Sequence, residues 1–107
     1  MVDPEIEGDL ASMPKPLLAA CIEYLSTLGL AGGPVIIDVE ALPGYLELYY
    51  SSLEYYQSRD PLVAPMGNVP LIVDIQNRAV YLARHNLLST CVDYLRSGRA
   101  DMLTRII

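Results

Sequence analysis

The residues of this sequence that could carry covalent chemistry are few: one histidine, His85, and two cysteines, Cys21 and Cys91. A nucleophilic serine or cysteine needs a base within hydrogen-bond reach, and no spacing in the sequence pairs His85 with such a residue. Both cysteines stand at the centre of an apolar helical pattern, where a thiol behaves as a small hydrophobic group with a raised pKa. The sequence therefore predicts no catalytic residue and favours a non-catalytic protein, with an enzyme left open as the alternative.

Metal and nucleotide sites also lack their usual sequence patterns. One histidine and two distant cysteines cannot form a zinc site. Four acids near the N-terminus alternate like one face of an extended segment, which predicts solvated side chains, with weak calcium binding as the alternative: Asp3, Glu5, Glu7 and Asp9. No GxxxxGK[ST] or GxGxxG run is present. We expect no bound metal and no cofactor.

Charge is unevenly distributed along the 107 residues, whose net charge is −6. Residues 1–60 contain ten acids and two bases, whereas residues 61–107 contain three acids and five bases. This balance suits a protein partner or a homodimer and argues against nucleic acid, whose phosphates need clustered Lys and Arg. No apolar run reaches the ~20 residues of a membrane helix. The acidic start of the chain and the two cysteines predict a cytoplasmic protein, or one inside a host cell if it is viral.

The pattern of apolar residues predicts the main elements. Residues 1–13 are polar and acidic and predict a flexible arm, followed by a single globular domain over 14–107. Apolar positions three and four apart predict helices over 14–28 and 86–96, and their shared LLxxC pattern suggests that both cover the same side of a sheet. A strand is expected at 35–37 and a hairpin over 70–82. The elements predict a small two-layer α/β domain with about three main helices and a short sheet.

Five of the eight tyrosines lie within residues 45–56. Apolar residues spaced alternately four and three apart predict a helix over 42–56, and a second apolar group widens its apolar arc to about twice the usual ~100°. Tyrosine suits a surface that is wet when free and buried in a complex. The alternative is a helix that is central in the monomer. The predicted partner-binding residues are Tyr45, Leu48, Tyr49, Tyr55 and Tyr56.

The segment PMGNVPLIVD (65–74) resembles the loop into the third strand of glutathione transferases, whose N-terminal domain is thioredoxin-like. The order of elements is similar as well, if residues 6–10 supply a first strand. The resemblance implies a cis peptide bond before Pro70 and contacts from the Asn68 and Val69 backbone to glutathione. It places Ser12 where the family has a catalytic residue. The resemblance implies a thiol-ligand binder or enzyme as the alternative function. The sequence departs from the family in LARHNLL (82–88), where the family's Glu-Ser pair is missing.

A second resemblance links MPKPLLAACIEYLSTLGL (13–30) and RDPLVAP (59–65) to Rho GTPase-activating domains. That family is all-helical, and its catalytic arginine is absent from GGPV (32–35). The resemblance therefore implies a degenerate, non-catalytic domain and an all-α fold as the alternative class. Together the sequence features predict a small acidic protein–protein interaction module, acting as an adaptor, inhibitor or scaffold.

Overall fold

The computed structural model of the chain describes residues 2–42, 44–63, 70–82 and 88–107. The helices are α1 (Lys15–Ser26), α2 (Leu53–Ser58) and α3 (Leu88–Arg96), with short 3-10 helices at Pro4–Ile6, Pro61–Val63 and Ala100–Met102. The strands are β1 (Pro34–Leu42), β2 (Tyr45–Ser52), β3 (Leu71–Asp74), β4 (Ala79–Leu82) and β5 (Thr104–Arg105). They form one antiparallel sheet in chain order. The predicted mixed α/β class is confirmed, and the all-α alternative is wrong.

The longest pairing in the sheet is the hairpin of β1 and β2. Leu42 pairs with Tyr45, so the connection is two residues long, and Gly44 adopts a φ of 87° that favours glycine. The predicted helix over 42–56 is therefore wrong, because most of it forms β2 and only its end continues as α2. Tyrosine fits a pleated strand well, and the alternation of YLELYY supplies a period of two that competes with the helical spacing.

The sheet carries helices on both faces. Strand β2 directs Leu46, Leu48 and Tyr50 into a core cluster that includes Cys21 and Leu25 of α1. The opposite face holds a second cluster, whose buried members are Ile72, Ala79, Tyr81, Cys91 and Leu103. Helices α1 and α3 thus cover opposite sides of the sheet. The expectation that both would lie on one side of a two-layer domain is wrong, because both sheet faces are apolar and each needs a cover.

The N-terminal segment lies against the sheet, in contrast to the flexible arm expected from its composition. Ile6, Leu10 and Met13 are buried in the same cluster as α1. Val2 forms a parallel bridge with Ile36 of β1, and the Asp3 N–H donates to the Ile36 carbonyl over 2.9 Å. The acids between these anchors face solvent, so the polar composition reflects one wet side of a packed segment.

Several predicted elements are confirmed with shifted bounds. The helix over 14–28 is α1, the hairpin over 70–82 is β3 and β4, and the strand at 35–37 extends to the full length of β1. Residues 6–10, where a thioredoxin-like domain would need a first strand, form part of a 3-10 helix and turns. That topology is not confirmed. Within the described part of the chain, no helix has the length and apolar character needed to cross a membrane.

The register of the β1–β2 hairpin places Leu48 in the core, and a substitution can test this placement. Leu48 is 0% exposed, and we expect Leu48→Ala to lower the free energy of unfolding by about 2–5 kcal/mol through lost burial and a cavity. Urea unfolding measures this change. Leu28→Ala is the matched control, since Leu28 is 42% exposed. Equal, small effects of the two substitutions would contradict the register that places Leu48 in the core.

Candidate functional site on the acidic hairpin

The tyrosines predicted to form one interface lie on two different elements. Tyr45 and Tyr49 are half-buried and project from β2 on the α3 side of the sheet. Tyr55 and Tyr56 belong to α2. Leu48 lies in the core, so its predicted role as a surface anchor is wrong: in a strand it faces the side opposite to its neighbours Glu47 and Tyr49.

The tyrosines of α2 are engaged within the chain. The Arg59 guanidinium lies 5.8 Å from the ring centre of Tyr55 and 5.7 Å from that of Tyr56. The Tyr56 hydroxyl donates to Asp3 Oδ2 over 2.7 Å. Hydrogen bonds from the Glu5 N–H and from Tyr56 lower the pKa of the Asp3 carboxyl. This group ties the N-terminal segment to α2, which is a sufficient structural role for Tyr56.

Glu47 is the most unusual side chain of the sheet. It is a carboxylic acid only 1% exposed, and its Oε2 atom is buried without a hydrogen-bond partner. The register places it between Glu40 on β1 and Ile72 on β3, so it lies on the face covered by α3. A buried polar atom without a partner is uncommon, because leaving one costs free energy. Glu47 therefore calls for a functional explanation.

The charges that act on Glu47 come from two acids, Glu40 and Asp38. Burial raises the pKa of its carboxyl, a hydrogen bond from the Tyr49 hydroxyl opposes this, and the charges of Glu40 and Asp38 raise it further. Burial and the hydrogen bond to Glu47 raise the pKa of Tyr49 to about 12. On α3, burial and the charge of Glu47 raise the pKa of Cys91. Asp38 and Glu40 themselves are exposed on β1.

This arrangement is a set of acceptors that lacks donors. Ionised Glu47 and Glu40 carry only acceptor oxygens, so a hydrogen bond between them exists only if one carboxyl is protonated or another group supplies an N–H. Among the residues that the structure describes, no group of three or more His, Cys, Asp or Glu has the geometry to hold a metal ion. A proton or a cationic side chain would supply the donor that the two carboxylates lack.

Glu47 is not among the residues predicted for the site, because the helix expected over 42–56 is in fact a strand that buries it. A signal was present: in YLELYY, Glu47 alternates with leucines, and a strand that is covered on both faces buries every position. The cysteines behave as predicted. Cys21 and Cys91 are both 0% exposed, and burial raises the pKa of Cys21 to about 12.

The residues implied by the glutathione transferase resemblance lie elsewhere. Ser12 is exposed between α1 and the N-terminal segment, and Pro70 is half-buried just before β3. Asn68, Val69 and His85 lie outside the described residues. Next to Ser12 in the chain, Ala11 and Met13 line a groove of about 290 Å³ that Leu10 and Leu18 also line.

The fold and the hairpin site define a small α/β protein whose terminal sheet strand is acidic and flanked by tyrosines. Comparisons of the chain with protein-family models, with curated proteins and with solved structures find no match. The feature of this site that bears most on function is the buried carboxyl of Glu47.

The raised pKa of Glu47 predicts a specific pH dependence. Because the folded protein holds the Glu47 proton more tightly than the unfolded chain does, this group lowers stability as pH rises from the ordinary value of 4.5 through the raised value. Glu47→Gln removes the charge and supplies an amide N–H toward Glu40. We expect it to raise the melting temperature at pH 7, with a gain that shrinks toward pH 4.

The control for this experiment is Glu23→Gln, an exposed position on α1 that removes the same charge from the surface. It should leave the melting temperature almost unchanged at both pH values. A lower melting temperature of Glu47→Gln at pH 7 would contradict the prediction, since it would mean that a positive charge already compensates the Glu47 carboxylate.

Proposed function

We propose that this protein is a small non-catalytic protein–protein interaction module, an adaptor, inhibitor or scaffold, that binds its partner with the acidic hairpin of β1 and β2. The interface consists of Asp38 and Glu40, with Tyr45 and Tyr49 beside them and Glu47 beneath. The partner presents a basic surface. The tyrosines provide apolar contact area, and the acids provide electrostatic complementarity.

The observation that carries the proposal is the buried Oε2 atom of Glu47, which has no partner next to the exposed carboxyl of Glu40. A protein that needs only stability gains nothing from an uncompensated carboxylate in its sheet, since an apolar residue would fit there at lower cost. Such costs are typical of functional sites. A partner that supplies N–H donors would satisfy these acceptors when the complex forms.

Charge reversal at the hairpin tests the proposal. We expect Asp38→Lys combined with Glu40→Lys to abolish capture of the partner from an extract of the native cells, because both side chains are exposed and would repel a basic surface. Capture by the unaltered protein should weaken as salt is raised. Sedimentation of both proteins would show whether the partner is a second copy.

The matched control is Glu23→Lys combined with Asp93→Lys, which changes the net charge equally but lies on the exposed sides of α1 and α3. This variant should capture the partner normally. Loss of capture in both variants would indicate a dependence on net charge alone. Undiminished capture by the hairpin variant would refute the proposed interface.

A second candidate function is a thiol-ligand binder of the glutathione transferase kind, favoured by the groove beside Ser12. Its wall is largely apolar, with Val2, Leu10, Met13 and Leu18, and it carries one acid, Glu7, and one base, Lys15, of which only Lys15 suits a carboxylate. The volume of about 290 Å³ is near the lower end for a small-molecule site. The resemblance places Ser12, Asn68, Val69 and Pro70 around the ligand.

Glutathione distinguishes the two candidates. If the groove binds it, reduced glutathione at 100 times its Kd should stabilise the protein by about 2.7 kcal/mol, seen as a higher melting temperature. Ser12→Ala should reduce the shift if the hydroxyl contacts the ligand, whereas Glu23→Gln should not. An unchanged melting temperature in millimolar glutathione would argue against this second candidate.

A further inference from the structure

Strand β1 forms one end of the sheet, and its outer side is only partly covered. Val2 and Asp3 contact it at Ile36, in a parallel bridge with one hydrogen bond of 2.9 Å. This contact demonstrates that the outer edge accepts an extended segment. Beyond Ile36, no other described residue pairs with the outer side of β1. Residues 37–42 therefore form an open strand edge, a common template for pairing with another chain.

The backbone groups available on this edge follow from the register. A bulge at Ile37 shifts the pairing, and beyond it the Val39 N–H donates to Asp38 Oδ1 over 2.9 Å. In an antiparallel pair, alternate residues direct their N–H and C=O groups outward. Val39 and Ala41 thus present the outward groups. The Asp38 carboxylate accepts the Val39 N–H, and a bound cation could compete for that carboxylate and free the N–H.

The side chains of this edge select the occupant. Asp38 and Glu40 stand two residues apart on one face, and the row through Glu40 continues inward to Glu47. A second copy pairing through β1 would set acids opposite acids, which is unfavourable, whereas basic residues opposite them are favourable. An added strand would lie about 10 Å from β2, or two strand spacings, so only a long side chain could approach Glu47 across Glu40.

Arginine fits this position better than lysine. Its planar guanidinium carries five N–H donors and can bind two carboxylates at once, whereas lysine acts as a point charge. The Glu40 and Glu47 carboxyls provide two neighbouring acceptors, and one oxygen of Glu47 has no other partner. The half-buried Tyr49, two residues from Glu47 on the same face of β2, adds a ring beside the path of a guanidinium.

We infer that an extended basic segment of a partner protein adds to the sheet as a sixth strand along β1, with an arginine that binds the exposed Glu40 carboxyl and, by shifting that side chain, reaches the buried Oε2 of Glu47. The inference rests on the proposed function and specifies how the partner binds. The basic residues alternate with residues of any type, because only one face of the added strand meets the acids. Asp38 exchanges its contact with Val39 for a contact with the incoming cation.

Synthetic peptides provide the test without knowledge of the natural partner. The probe is a short peptide that alternates arginine with threonine, compared with a lysine version and with a version N-methylated at alternate residues. We expect the arginine peptide to bind best and to slow hydrogen exchange at the Ala41 amide. N-methylation removes the backbone donors but keeps the charge, and it should weaken binding about tenfold or more.

The variants Glu47→Gln and Glu40→Gln should each weaken the arginine peptide about tenfold and reduce its advantage over the lysine peptide. Glu40 is exposed, so its variant remains informative even if Glu47→Gln alters folding. Glu23→Gln, which removes an acid elsewhere, is the matched control and should bind normally.

Three outcomes would overturn the inference: no binding of the arginine peptide, equal binding of the N-methylated peptide, or insensitivity to both glutamine variants. None of these would by itself refute the interaction module, because the charge-reversed hairpin tests that separately. If the charge-reversed hairpin loses capture but the arginine peptide does not bind, the partner would present a basic folded surface and not an extended segment. Retained capture by the charge-reversed hairpin would refute both.

Discussion

The pairing of β1 with β2 is the constraint on which the rest of the structure depends. It divides the side chains of β2 between two covers, with Leu46, Leu48 and Tyr50 against α1 and Tyr45, Glu47 and Tyr49 on the α3 side. A slip of one residue would exchange these sets and bury two tyrosine hydroxyls in the larger core. The register is set by the two-residue turn at Gly44 and by the leucines that must face α1. The position of the acids follows from both.

The same register explains how a glutamate comes to be buried. Leucines on either side of Glu47 must reach the core, so its carboxyl is forced to the opposite face, where Ile72 and Cys91 leave it little water. Tyr49 compensates in part with one hydrogen bond. The remaining cost is borne by the fold as a whole, which can retain a destabilising group where binding requires it. A leucine at this position would complete the core but would leave Glu40 without its neighbour.

How much could be predicted from the sequence depended on whether one periodicity dominated. Helix α1 and the hairpin of β3 and β4 have unambiguous patterns and clear turn residues, and they were predicted correctly. In residues 42–56 two periods coexist, and the deciding signal was local: Pro-Gly at 43–44 favours a turn, not a helix interior. The same error concealed the site around Glu47, because the neighbours of Glu47 are defined only by the cross-strand register. Composition alone gave the acidic character of residues 1–60, which include β1.

An open strand edge can pair with other chains, and the two halves of the β1 edge are protected from this in different ways. The first half is closed by Val2 and Asp3, and the Tyr56 hydroxyl holds Asp3 in place. The second half has no such cover in the described chain and relies on a bulge and on exposed acids, both common ways to prevent edges of identical molecules from pairing. The exposed acids protect the edge selectively, because their charge repels a second acidic edge and attracts a basic one. An edge that only had to stay unpaired would need neither the buried Glu47 nor the tyrosine beside it, so their presence favours recognition over mere protection.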